Sequence, residues 1–315
     1  MASGISQTFR RLAVHYAIGL LLLPYWLMFI VWAVGAAQAE RRKANDARIF
    51  LFVPLVILTT LMIGLRFEVG GDWGSYMVMY DSIYFLSLSA STAITEPGYA
   101  ALNWLSSQLN LGVSFVNMCC SFLFMGGFAR LAWKQPNPFL SVLVAVPYLI
   151  IVVAMGYTRQ AAAIGIICFT IADASERHLI RLVVLISIAA LLHKSAILIL
   201  PIALIPILRR NALLGVAGAL LFIVLSFLVL RGTSDALVKN YVSGNYDSQG
   251  ATIRVAMNVM AAVLFLIFRN RIDLPPFLKS FWTSCAVLAL VSVFALAVSS
   301  ASSGVDRISL YLLPL

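Results

Sequence analysis

Long apolar segments recur along almost the whole chain, separated by short polar stretches. Most are roughly 16–22 residues long, about the length that a helix needs to cross the hydrocarbon core of a bilayer. Because backbone groups in lipid have no other partners, these segments are predicted to be helices. The predicted spans cover residues 13–36, 49–65, 112–129, 138–157, 160–175, 179–193, 195–208, 212–230, 254–268 and 281–300. An eleventh begins near residue 308 and is still apolar at Leu315, so we expect the natural chain to be longer.

The composition agrees with a chain embedded in lipid. Hydrophobic residues make up 62% of the 315 residues and charged residues only 11%, whereas a soluble domain carries about 25% charged residues. The pattern predicts an all-α fold, a polytopic membrane helix bundle of about 10–11 transmembrane helices. We expect it to form a single integral-membrane domain over residues 1–315. The four cysteines lie within apolar segments and form no C-x-x-C pair, which is typical of small buried side chains.

The net charge of +10 reflects membrane topology, and we expect no nucleic-acid partner. Cytoplasmic loops of membrane proteins are rich in Lys and Arg. The loops that share one side are 38–48, 130–137, 175–181, 209–210 and 269–279. Together with Asp173, which lies just before the third of these loops, that side carries 13 Lys and Arg against five Asp and Glu, and the other side carries nine against seven. The bias predicts that the first side is cytoplasmic, that the N-terminus is external, and that two longer loops, 66–111 and 231–253, face outward.

The first outward loop combines charges, glycines and aromatic residues. Tyr76, Tyr80 and Tyr84 recur every four residues, which places them on one face of a helix that Asp72 could N-cap. They form either an aromatic belt at the membrane interface or a stacking platform for sugar rings. Farther along, Glu96-Pro97-Gly98 is typical of another helix start. An apolar stripe follows it and predicts a helix lying on the membrane surface.

Several cations remain on the outward side, against the bias of the loops. Most lie where a loop meets a span, and a charge there is costly unless it reaches the interface, pairs, or lines a wet cavity. Singly, each fits a snorkelling anchor. As a group they predict a convergent site for an anion such as a diphosphate, which several guanidiniums bind in bidentate fashion. These cations are Arg66, Arg159, Lys194, Arg231, Lys239, Arg254 and Arg307.

Individual polar residues each have a structural and a catalytic interpretation. Arg159, followed by Gln160, either ties down a short hairpin or projects into a cavity and holds a phosphate. His193 either caps a helix end or acts as a general base or a hydrogen-bond donor to phosphate. Asp72 is a helix cap, a ligand for sugar hydroxyls, or a base that takes a proton from one. Glu96 shares that choice, with the cap favoured.

Signatures of soluble enzymes are missing from the sequence. It contains no phosphate-binding Gly loop, no D-x-D pair, no H-E-x-x-H and no G-x-S-x-G. We therefore expect neither a cofactor nor a metal ion. The predicted catalytic residues are His193, Asp72, Arg159 and Arg307. The predicted substrate-binding residues are Arg66, Arg254, Glu96, Tyr76, Tyr80, Lys194 and Gln160.

Several short motifs, taken in order, resemble the EpsG family, the Wzy-like polymerases of bacterial exopolysaccharide and O-antigen pathways. The motifs are Arg66, Gly71-Asp72 with Tyr76, Glu96-Pro97-Gly98-Tyr99, Arg159-Gln160-Ala161-Ala162-Ala163, His193-Lys194-Ser195-Ala196, and Arg307 with Tyr311. Each is short, but their order and their shared membrane face make the set fairly specific. The resemblance covers nearly the whole chain and implies a GT-C-like membrane fold.

The resemblance also implies an activity. Such proteins join glycan repeat units carried on undecaprenyl diphosphate at the outer face of the cytoplasmic membrane, and they need no nucleotide sugar because the diphosphate is already a leaving group. Arg159, Arg254 and Arg307, with Arg66, would then neutralise the departing diphosphate. His193 or Asp72 would take the proton of the acceptor hydroxyl. The expected partners are the undecaprenyl-diphosphate-linked oligosaccharide, the lipid bilayer, a chain-length regulator and a flippase.

Other classes fit parts of the pattern. A transporter or flippase for lipid-linked glycans also needs outward arginines, but it predicts polar residues deep in the spans and broken helices near mid-membrane. Charges at mid-span are nearly absent here, which favours an enzyme acting on one face. A membrane glycan ligase would use the same donor, and the sequence does not separate it from a polymerase. An acyltransferase would need a site for an acyl donor, which the sequence does not indicate.

Overall fold

A computed structural model describes residues 22–39, 45–175, 178–208, 250–298 and 302–314, with single positions between 213 and 224. Every regular element there is a helix, as the sequence predicts. The helices are α1 (Leu22–Ala39), α2 (Asn45–Gly64), α3 (Trp73–Ile83), α4 (Leu88–Ser91), α5 (Pro97–Gln108), α6 (Gly112–Trp133), α7 (Pro138–Ala145, continued by a π-helix over Val146–Ala154), α8 (Thr158–Ala172), α9 (Leu179–Leu192), a 3₁₀ turn (Lys194–Leu198), α10 (Ile199–Leu208), α11 (Ala251–Phe268), α12 (Pro276–Val298), α13 (Ser302–Ser309) and a second 3₁₀ turn (Leu310–Leu312). The start of the predicted span 13–36, most of the span 212–230, and loop residues 231–249 with Arg231 and Lys239 lie outside the described residues.

Four described helices, α1, α6, α11 and α12, are each long and apolar enough to cross a membrane. Five further apolar segments are shorter: Ile49–Gly64, Pro138–Ala154, Thr158–Ala172, Leu179–Leu192 and Lys194–Pro206. The chain is therefore an all-α membrane helix bundle, in which several predicted spans are shorter than a full crossing. The 15 residues of α8 give about 22 Å of helix, against about 30 Å of hydrocarbon. Nearly all of its side chains are covered by protein, so lipid thickness does not set its length.

Helices α6 and α8 pack with very close backbones at the centre of the bundle. Gly127 of α6 faces Gly165 of α8, and a Cβ built on Gly127 would lie 1.8 Å from the carbonyl oxygen of Gly165. Small residues allow membrane helices to approach closely and to gain van der Waals contact. This contact fixes the position of α8, whose first turn carries Arg159.

The two ends of α8 carry separate polar clusters. Just beyond its C-terminal end, Asp173 pairs with Arg130, Lys134 and Arg181. In its first turn, Arg159 pairs with Glu96. About 20 Å of helix separates the two clusters. Each contains only residues that the charge pattern assigns to one side of the membrane, and which end faces the cytoplasm stays a prediction.

Candidate functional site

Glu96 lies at the N-cap position of α5, directly before Pro97, as the sequence predicts. Its side chain, however, makes no capping hydrogen bond. Its Oε2 atom instead accepts hydrogen bonds from Nη1 of Arg159 at 2.7 Å and from Oγ1 of Thr95 at 2.9 Å. The predicted cap is thus wrong for this carboxylate, because the folded bundle brings a guanidinium to it from α8.

His193 approaches the other oxygen of the same carboxylate. It lies between α9 and the 3₁₀ turn that begins at Lys194, where an extended backbone (φ −152°, ψ 110°) breaks the helical path. The break directs the imidazole into the bundle, where its Nδ1 lies 3.4 Å from Oε1 of Glu96. That distance places the two groups side by side but exceeds a normal hydrogen bond. Within the described residues, neither ring nitrogen has a hydrogen-bond partner, although His193 is only 5% exposed.

Burial and charge keep this pair in a defined ionisation state. Burial lowers the pKa of His193 below its ordinary value, and the positive charges of Arg159 and Arg307 act in the same direction. The negative charge of Glu96 raises that pKa, but by less than burial and the two cations lower it. Burial alone would raise the pKa of Glu96, but the nearby imidazole and the charge of Arg159 outweigh it and lower that pKa well below the ordinary range. Near neutral pH the imidazole is therefore neutral and able to accept a proton, while the carboxylate stays charged.

Arg159 is held by aromatic rings as well as by Glu96. The carbon of its guanidinium lies 5.8 Å from the ring centroid of Tyr76 and 5.7 Å from that of Tyr99. Its Nε atom is buried and has no hydrogen-bond partner within the described ranges. The guanidinium is thus fixed in place, with one donor still available.

Arg307 and Lys194 add positive charge beside this group. The charge of Arg307 acts on both His193 and Lys194, and Arg307 is itself exposed. The backbone around it is anchored, because Nε2 of Gln160 donates a hydrogen bond of 2.7 Å to the carbonyl oxygen of Arg307. Gln160 therefore contacts the segment that carries Arg307.

Arg254, predicted to bind phosphate, forms a buried ion pair. Its Nη2 donates to Oδ2 of Asp306 at 2.6 Å, its Nε donates to Oδ1 of the same residue, and its Nη1 donates to the hydroxyl of Tyr148 at 2.9 Å. Only 3% of Arg254 is exposed. Tyr148 comes from the π-helical part of α7, so this contact joins α7, α11 and α13. Neither partner was predicted from the sequence, although Asp306, directly before Arg307, was a visible signal.

Arg66 is enclosed by protein. It donates hydrogen bonds to the carbonyl of Ile63 at 2.9 Å, to Oδ1 of Asn117 at 3.2 Å, and to Oγ1 of Thr158. The gap beside it, lined also by Cys120, is too narrow for a water molecule. Arg66 thereby connects the end of α2 to α6 and α8. Its partner on α8, Thr158, directly precedes Arg159.

Asp72 and the tyrosines occupy places that the sequence predicts only in part. Helix α3 begins directly after Asp72, but the Asp72 side chain makes no capping bond and is half-buried. Tyr76 and Tyr80 share a face, as predicted, yet they are only 4% and 6% exposed. An open stacking platform or a lipid-facing belt is therefore wrong for these two rings, because α3 turns that face towards protein. Tyr76 instead packs against Tyr99, with ring centroids 5.9 Å apart.

Buried polar atoms without a hydrogen-bond partner concentrate at this end of the bundle. Of eight such atoms in the described residues, seven belong here, and the eighth is Oγ of Ser280. Each such atom is costly to bury, so their grouping sets this end of the bundle apart from the other described residues. The seven belong to Arg66, Tyr99, Asn103, Asn117, Arg159 and His193. Asn103 and Asn117 were not singled out from the sequence, since isolated amides within apolar helices carry no motif.

A sequence model of the EpsG family matches residues 49–315, which include every residue of the cluster around Glu96. Neither a curated protein nor a solved structure matches the chain significantly. Within the described ranges, no group of three or more His, Cys, Asp and Glu side chains is placed to hold a metal ion.

Proposed function

This chain belongs to the EpsG family, and from that premise we propose that it is a polysaccharide polymerase. It joins repeat units carried on undecaprenyl diphosphate by glycosyl transfer that uses no metal ion, at the outer face of the bacterial cytoplasmic membrane. The observation that supports this proposal most is the contact of one carboxylate, Glu96, with both the imidazole of His193 and the guanidinium of Arg159. Those groups supply a base and a cation at one end of a membrane bundle.

His193 acts as the general base in this proposal. Its Nδ1 faces Glu96, so a neutral ring carries its hydrogen there and leaves Nε2 to accept a proton. The acceptor hydroxyl attacks the anomeric carbon of the donor and passes its proton to Nε2. The bond between that carbon and the diphosphate oxygen breaks, and its electron pair stays on the diphosphate. Glu96 orients the imidazole and stabilises the cation that forms.

Arg307 and Lys194 receive the leaving diphosphate. The charge of Arg307 acts on both His193 and Lys194, and Arg307 is exposed. Negative charge grows on the diphosphate as the bond breaks, so fixed cations stabilise the transition state more than the ground state. Arg159 is occupied by Glu96 and positions the carboxylate, while its free Nε remains able to donate to a phosphate oxygen.

The test is reconstitution of the purified protein in liposomes with purified lipid-linked repeat units as the sole substrate. A ladder of glycans on the lipid carrier is expected for the wild type. His193→Gln and Arg307→Ala should leave only the single unit, while Arg271→Ala, an exposed cation between α11 and α12, should keep the ladder. Transfer of one unit to a different lipid acceptor without a ladder would indicate a ligase. Movement of substrate between leaflets without any new bond would indicate a transporter, and either result would overturn the polymerase proposal.

A further inference from the structure

A second charged site lies at the opposite end of α8. Asp173 follows that helix, and three cations from two neighbouring helices surround it. Arg130 donates through Nε to Oδ2 at 2.7 Å, and Nζ of Lys134 lies 3.2 Å from Oδ1. Nη2 of Arg181 is 3.9 Å from Oδ2, which is beyond hydrogen-bonding distance. The guanidiniums of Arg130 and Arg181 also lie 5.1 Å and 5.4 Å from the ring centroid of Phe169.

The cluster carries more positive charge than its own carboxylate can balance. Three cations and one anion leave a net charge of +2 among these four residues. Glu176 and Arg177, which lie outside the described residues, carry opposite charges and leave the balance unchanged. The side chains of the cations are 40–53% exposed. Two forked guanidiniums and an ammonium held this close together form a receptor for a phosphate group.

The surroundings favour a phosphate that belongs to a lipid. Trp133, directly before Lys134, is 38% exposed, and Ile180, directly before Arg181, is 80% exposed. These two exposed side chains are sequence neighbours of the cations, at the ends of helices α6 and α9. We propose that this cluster binds the phosphate of an anionic phospholipid, with the acyl chains against Trp133 and Ile180. The site is separate from the one that contains His193, and it does not rest on the proposed polymerase activity.

The test is native mass spectrometry of the detergent-solubilised protein titrated with phosphatidylglycerol. The double variant Arg130→Gln/Lys134→Gln should weaken binding of one phosphatidylglycerol roughly tenfold or more, as expected for two interfacial cations. Its matched control is Arg269→Gln/Arg271→Gln, which removes two charges from another loop that the sequence assigns to the same side and should leave binding unchanged. Phosphatidylcholine binding should not distinguish the variants.

A single substitution that removes a negative charge, and should therefore strengthen binding, provides a second test if the double variant folds poorly. Asp173→Asn removes the local anion and raises the cluster to a net +3, so it should bind phosphatidylglycerol more tightly than wild type does. Equal losses in the double variant and its control would reduce the effect to general surface charge and overturn the proposal. Unchanged or weaker binding in a folded Asp173→Asn protein would also overturn it. Inorganic phosphate that binds as tightly as the lipid would show an anion site without lipid specificity, which contradicts the proposal as well.

Discussion

His193 and Glu96 meet through a contact of 3.4 Å between Nδ1 and Oε1. The two residues are 97 positions apart and come from different parts of the bundle, one after α9 and the other before α5. The other carboxylate oxygen is held by Arg159. Glu96 therefore links the proposed base to the nearest guanidinium, and substitutions at these positions should affect chain growth in distinguishable ways.

The pH dependence of chain growth should report the ionisation of His193. Because burial lowers the pKa of His193, the neutral base persists at neutral pH and somewhat below the ordinary histidine value of about 6.5. The rate should therefore be level near neutral pH and should fall only as the pH drops through that lowered pKa. Glycan ladders measured in liposomes buffered between mildly acidic and neutral pH provide the readout. A rate that rises on acidification would contradict a neutral-base role.

Glu96→Gln should slow chain growth without abolishing substrate binding. The amide keeps the shape of the side chain but loses the charge that orients and stabilises the imidazolium, so we expect a loss of about a hundredfold in the rate of transfer. Glu96 raises the pKa of His193, so the variant should also move the acidic limb of the pH profile to lower pH. The control is Asp81→Asn on the exposed side of α3. An acidic limb that moves to higher pH would contradict this role, because loss of the Glu96 charge should lower the pKa of His193.

The ion pair between Arg254 and Asp306 should behave as a structural brace. Removing one partner takes away the ion pair and leaves the other charge buried, so Arg254→Met or Asp306→Leu alone should destabilise the protein by roughly 3–5 kcal/mol. The double variant Arg254→Met/Asp306→Leu removes both charges and should recover most of that loss. Thermal unfolding in detergent measures the effect. A double variant that is as unstable as the sum of the single variants would show that the two side chains do not act as a pair.

The close approach of α6 and α8 should require glycine at position 127, because the side chain of glycine is a single hydrogen atom. Gly127→Ala would place a methyl group 1.8 Å from the carbonyl oxygen of Gly165, so the helices must separate at a cost of about 1–3 kcal/mol. Gly126→Ala is the matched control, because a Cβ there meets nothing within 4 Å. Thermal unfolding of the two alanine variants in the same detergent compares them directly. Equal stability would contradict the packing described here.

The fold class could be predicted from the sequence because a lipid environment leaves the backbone few choices. The helix starts at Trp73 and Pro97 were also predictable, since Asp72 and Glu96-Pro97 are local signals. Local signals do not show what covers a helix face. The same four-residue period places Tyr76 and Tyr80 together whether lipid, water or protein lies against them, and here it is protein.

Pairings between distant residues could not be predicted. The sequence places Arg159 between two predicted spans and Glu96 in the first outward loop, but the contact between them depends on how α8 docks against α5. The same holds for Arg254, whose partner Asp306 is 52 residues away and is brought to it by the packing of α13 against α11. Charge patterns predicted which residues share an end of the bundle, whereas the tertiary packing decides which cations are already paired.

The most direct measurement of the central claim is a single-turnover assay of His193→Gln in liposomes, with binding of the lipid-linked donor measured on the same preparation. The account predicts that the donor binds as it does to the wild type, while transfer to the acceptor slows by at least about a hundredfold. It also predicts that the residual rate no longer depends on pH in the range where His193 titrates. Transfer at the wild-type rate by a variant that lacks the imidazole would contradict the assignment of His193 as the base.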